Sequence, residues 1–180
     1  MREGGPLFRM MACLDVAYEN TSACAAGIIF REWADARPLQ EKVISVQKVQ
    51  PYQPGQFFRR ELPCLLATLQ ALPPVEVVVV DGYVWLGGGS QPGLGAYLYR
   101  SLGGTVVVVG VAKTKFRGAG WACEAIRGRS SRPLFITAAG MNREAAAEHI
   151  RSMHGPYRIP TLIRYVDQLC RIHSNTPLCG

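Results

Sequence analysis

Along residues 10–17, Met11, Cys13 and Asp15 alternate with Ala12, Leu14 and Val16, the period of two expected of a strand. Glu19 to Ser22 is turn chemistry. Residues 24–31 and 42–49 read as a second and third strand, so short connections predict an antiparallel meander. Asp35 to Gln40, polar and containing Pro38, is expected to be a loop. Over residues 56–71 the period changes: Phe58, Leu62, Leu65 and Leu69 recur on one helix face. Pro63 interrupts that pattern and predicts a kink or a start close to it, and Pro73-Pro74 ends the helix. Two nearly continuous apolar runs, Val75 to Val80 and Thr105 to Val111, have the character of strands buried on both faces. Residues 93–102 between them are long enough for a short crossover helix. Residues 117–132 are irregular and basic, 133–138 make one more strand, and 142–153 and 160–172 are closing helices.

This order predicts an α/β fold with a ribonuclease H-like mixed sheet, in which parallel strands extend three antiparallel ones between helices. Its 180 residues fit a single domain, 1–180, with 1–9 expected to be a flexible N-terminal extension. No apolar run is long enough for a membrane span, and no secretory signal is legible, so the expected location is cytoplasmic. The six cysteines form neither a CxxC pair nor a zinc pattern and read as free thiols packed as small hydrophobes.

Three carboxylates stand out. Asp15 lies inside a strand that otherwise looks buried, where an unpartnered carboxylate is costly. Asp81 ends a buried parallel strand, the position at which open α/β sheets place their sites. Glu61, between Phe58 and Leu65, falls beside the inward face of the helix. Each alone reads as a capped loop end or an ion pair. Together, at converging positions, they predict a divalent-metal site, with Mg²⁺ the expected ion and Mn²⁺ the alternative. The chemistry such a site suits is phosphodiester cleavage. A net charge of +7 favours nucleic acid as the partner.

Several blocks in order resemble the endonuclease V (deoxyinosine 3′ endonuclease) family. They are DVAY at 15–18, PYQPGQFFRREL at 51–62, VVDG at 79–82, GVAKT at 110–114, RPLFITAAG at 132–140 and YRIPTLIRYVDQL at 157–169. The resemblance implies that Asp15, Glu61 and Asp81 hold the metal and that Lys113 joins them as a catalytic residue holding the scissile phosphate. It implies that Tyr52 wedges into the duplex, and Tyr52 between Pro51 and Pro54 also suits stacking on bases. It places Gly82 in a base pocket. Arg60 and Lys115 are candidate nucleic-acid contacts, and Arg59, Arg117, Arg127, Arg129 and Arg132 add basic charge nearby.

The chain departs from the family pattern in two places. The family's His-Pro-Arg and His-Leu-Gly segments are replaced by YVWLGGGSQPGLG at 83–95, with Gly87 or a neighbour where a histidine stands. A Gly-His is replaced by Gly140-Met141. A thioether neither moves a proton nor donates to phosphate, so Met141 is expected to weaken cleavage, and Met141→His to restore it. His149, His154 and His173 read as surface residues, Trp85 and Trp121 as core, and Gly87 to Gly89 as a flexible loop. Two readings stay open: a metal-dependent endonuclease acting near inosine or another altered base, in DNA repair or inosine-RNA cleavage, and a catalytically impaired nucleic-acid-binding relative. A ribonuclease H or resolvase-like enzyme is a third, opposed by the PYQPG block.

Overall fold

Hydrophobic alternation sorts the side chains of the central strands onto two faces, and each face is covered by a pair of helices. In this computed structural model, residues 10–174 are described, except Lys48, Gln50, Tyr52 and Ala119. The elements run β1 (Met11–Glu19), β2 (Ser22–Phe30), β3 (Gln40–Val46), α1 (Phe57–Gln70), β4 (Val77–Asp81), β5 (Trp85–Leu86) and β6 (Gln91–Pro92). They continue with α2 (Leu94–Ser101), β7 (Val107–Ala112), β8 (Cys123–Ala125), β9 (Leu134–Ala139), α3 (Arg143–Ser152) and α4 (Thr161–Ser174).

Seven strands form one sheet in the order β3-β2-β1-β4-β7-β9-β8. The first three are the expected antiparallel meander, with Glu19 opposite Ser22 across a two-residue turn in which Asn20 takes a φ of 52°. β1, β4 and β7 are parallel neighbours. β9 runs antiparallel to β7, and β8 antiparallel to β9. The fold is the ribonuclease H-like mixed sheet.

Ala12, Leu14, Val78, Val80 and Val108 pack with Leu65 of α1 and Leu98 of α2. Cys13, Val79, Val109 and Val111 pack on the other face with Ile150 of α3 and Val166 of α4. Fully burying side chains such as Leu65, Leu98 and Ile136 contributes about 1.5–3 kcal/mol each. α1 passes through Pro63 without ending. Pro63 lies on the exposed side, where solvent satisfies the carbonyl that its missing N–H leaves free.

Two segments differ from expectation. Gly87 to Gly89 is not a flexible loop but a 3₁₀ turn at the tip of the β5–β6 ribbon. The three glycines all take positive φ, and a Cβ on Gly89 would lie 3.2 Å from the Trp121 indole, so a side chain there would be strained and would press on the ring. Within the irregular basic stretch, residues 123–125 form the edge strand β8, and Arg127 is buried. Its guanidinium donates to the carbonyls of Met153, Tyr157 and Gly155, so it braces the α3–α4 connection and does not line the site. No helix among the described residues is long and apolar enough to cross a membrane.

Candidate nuclease site

The parallel register of β1 and β4 pairs Leu14 with Val80. One residue further along each strand come Asp15 and Asp81, neighbours at the carboxyl end of the sheet. Val16 N–H donates to Asp15 Oδ1 at 2.9 Å. Asp81 Oδ2 accepts from Lys113 Nζ at 2.6 Å, an ion pair in which each side chain is 37% exposed. Lys113 is placed there because it follows the last residue of β7, the next strand in the sheet.

Glu61 reaches the same region from α1. It is 6% exposed, and its Oε2 has no hydrogen-bond partner. Burial pushes its carboxyl up to about 8, and the nearby Asp15 and Asp81 charges push the same way, against Arg60. Burial likewise raises Asp15 to about 7; the Val16 amide opposes this, while Asp81 and Asp167 add to it. Burial disfavours the Lys113 charge, but the hydrogen bond and charge of Asp81, with Asp15 and Asp167 beyond, outweigh it and move the ammonium upward.

Asp167 is the residue that sequence reasoning missed. It lies on α4, near enough to Asp15 for its charge to add to the burial that raises that carboxyl, and accepts from Arg171 Nε at 2.9 Å. The available signal was its spacing: Asp167 follows Ile163 by four, beside the buried face made by Ile163, Val166 and Cys170.

This donor set suits a hard divalent cation. Buried carboxylates raise one another's affinity for protons, and one buried oxygen is orphaned. Yet among the described residues no three His, Cys, Asp or Glu side chains are drawn together as a ready ligand group. Asp81 pairs with Lys113, and Asp15 Oδ1 accepts from the Val16 amide.

Beside the acids lies an apolar cavity of about 320 Å³. Phe57, Phe58, Tyr83, Leu86, Gln91 and Tyr97 contribute to its lining, with Asp81 and Gly82 at its edge. Phe58 and Tyr97 stack at 3.8 Å between ring centroids. Gly82 has a φ of 116° and open space where a Cβ would point, so the backbone is bare to the cavity.

Other candidates fall differently. Arg60 lies over the Tyr18 ring at 3.8 Å, half-buried, so part of its capacity is spent within the fold. Lys115 is exposed and pairs with Glu124 at 3.5 Å. Tyr52 lies outside the described residues. His154 and His173 are exposed, while His149 is half-buried and stacks on Trp33. Trp85 and Trp121 are half-buried, and the Trp85 indole donates to the Ala138 carbonyl at 3.1 Å.

Met141 is not at the site. β9 is antiparallel to β7, with Ala112 opposite Phe135 and Val108 opposite Ala139. Lys113 leaves one end of this pair and Met141 the other, so roughly 15 Å of strand separates them. Met141 packs against the apolar layer beneath α3 and α4. Its presence therefore removes no proton carrier from around the carboxylates.

The endonuclease V family model matches residues 2–138. An endonuclease V from Streptomyces avermitilis is 30% identical over 183 residues, covering 88% of this chain and 77% of the relative. The structure of human ENDOV superposes with a TM-score of 0.74 at 25% identity, over 93% of this chain and 84% of that one. Endonuclease V of Ciona intestinalis, in complex with a 23mer DNA containing an inosine followed by a ribo-adenosine, shares the fold at a TM-score of 0.75 and 17% identity, over 93% and 86% of the two chains. By both the family model and these relatives, this chain belongs to the endonuclease V family.

Proposed function

We propose that the protein is a divalent-metal-dependent endonuclease that hydrolyses a phosphodiester near inosine or another altered base. The observation that carries this reading is the placement of Asp15 and Asp81 just beyond the paired Leu14 and Val80 of neighbouring parallel strands, with the buried Glu61 near enough to feel both charges, beside a cavity large enough for a flipped-out base.

Asp15 and Asp81 would hold the cation, with Glu61 completing the set and Asp167 behind Asp15. Mg²⁺ or Mn²⁺ suits these oxygen donors. When bound, such an ion polarises the scissile phosphate and lowers the pKa of a water. Lys113, which meets Asp81 at 2.6 Å, would hold a phosphate oxygen with its ammonium. The cavity takes the base: aromatic rings supply stacking surface, and Gly82 lets backbone approach it closely. Arg60 and Lys115 are proposed to follow the strand's phosphates, and Tyr52 to wedge beside the extruded base. The Ciona protein's complex with inosine-containing DNA supports this substrate class. The exposed basic residues supply attraction to the phosphate backbone.

With Met141 at the far end of the β7–β9 pair from Lys113, the binding-only reading rests on the histidine missing from the 83–95 segment. The test is cleavage of matched DNA and RNA strands, with and without a single inosine, in Mg²⁺, in Mn²⁺ and in chelator. Metal-dependent cutting confined to the inosine strands is expected. Strong binding without cutting in either metal would return the binding-only reading.

A further inference from the structure

We propose that Tyr83 is a positioning residue that ties the wall of the cavity to Lys113. Tyr83 lines the cavity, while its hydroxyl meets Thr114 and Phe116, which do not. It donates to the Thr114 carbonyl at 2.9 Å and accepts from the Phe116 amide at 3.1 Å. These residues directly follow Lys113, whose ammonium lies on Asp81. Residues 114–117 are all exposed and belong to no strand or helix, so packing does little to fix them.

From the other side, Arg158 donates to the Lys113 carbonyl at 2.5 Å, to Pro133 at 2.8 Å and to Arg132 at 3.1 Å. Arg158 thus fastens the start of the segment to the body of the protein, and Tyr83 fastens its continuation to the cavity. The turn that carries Tyr83 is itself held: Gly82 N–H donates to the Val111 carbonyl at 3.0 Å, and Val84 N–H to the buried Thr137 hydroxyl at 2.8 Å.

Lysine is a flexible cation that loses rotamer freedom whenever it is held in one place. Bonds that fix its backbone lower that cost at the moment the phosphate arrives. A group entering the cavity packs against the Tyr83 ring, and any shift of the ring is passed through the hydroxyl to Thr114 and Phe116. What occupies the cavity therefore influences where Lys113 sits. Selectivity then appears in the rate of cutting as well as in binding. This rests on the reading that the cavity takes a base and Lys113 a phosphate.

Tyr83→Phe keeps the ring and removes only the hydroxyl. Single-turnover cleavage of an inosine-containing strand at saturating enzyme should fall about three- to tenfold, with affinity for that strand changed less than about twofold. Amide hydrogen exchange over residues 114–118, measured without nucleic acid, should accelerate while β1 and β4 keep their protection. An unchanged rate in Tyr83→Phe, or a loss confined to affinity, would overturn the proposal. If the wild type cuts nothing, the nuclease reading fails separately, and unchanged exchange over 114–118 would overturn the tie itself.

Discussion

Asp167, on α4, lies near enough to Asp15, on β1, for its charge to add to the burial that raises the Asp15 carboxyl. Like charges this near one another favour a proton or a cation beside them. The relation links α4 to β1 at the candidate site. It also falls outside residues 2–138, the span that the family model matches.

Asp167→Asn should therefore lower metal affinity and cleavage about 10–100-fold, the usual cost of losing a partner behind a ligand. The metal-free protein should not lose thermal stability, because a like-charge neighbour has been removed. Calorimetric metal titration beside a thermal melt separates the two effects.

The raised carboxyls of Asp15 and Glu61 make stability depend on pH in a definite direction. Between the ordinary values of 3.8 and 4.5 and the folded values of about 7 and 8, the folded protein binds more protons than the unfolded chain. Stability then falls as pH rises through that window, and levels off above it. In chelator, the melting temperature should drop from pH 5 to pH 8. Added Mn²⁺ should raise it more at pH 8 than at pH 5, since ligation needs the ionised carboxylates. A melting temperature that rises over this range in chelator would contradict the buried, mutually repelling site.

Met141→His should leave the cleavage rate unchanged. The family resemblance implies a histidine at this position, but the antiparallel pairing of β7 and β9 carries it to the far end of the sheet from Lys113. Parallel single-turnover assays of the variant and the wild type decide this.

Arg127→Met should destabilise the fold by more than about 2 kcal/mol, because several carbonyls of the α3–α4 connection lose their donor in a buried setting. Chemical denaturation measures it directly. Arg127 sits in a basic run that reads as a phosphate-binding surface, and only the tertiary structure shows it turned inward.

These cases show what the sequence carried. The sheet was legible because Val77–Val80 and Val107–Val109 are long β-branched runs, and because Glu19 to Ser22 has unmistakable turn chemistry. Asp15 stood out as a charge inside an apolar strand, and Asp81 as a charge at the end of one. Asp167 did not, since an aspartate among Arg164, Tyr165 and Gln168 looks like the solvated side of a helix. The β5–β6 ribbon was hidden by the glycines at its tip, whose composition reads as a loop. Met141 was misplaced because motif order gives the sequence of elements but not their direction.

The proposed cleavage requires the carboxylates to hold a divalent ion. The most direct measurement is single-turnover cleavage of an inosine-containing strand during a Mn²⁺ titration, comparing the wild type with Asp81→Asn. The wild type should show no cutting in chelator and a saturable rise with Mn²⁺, while Asp81→Asn should still bind the strand and cut it only at background. Cleavage by the wild type in chelator, or matching titration curves for the two proteins, would contradict it.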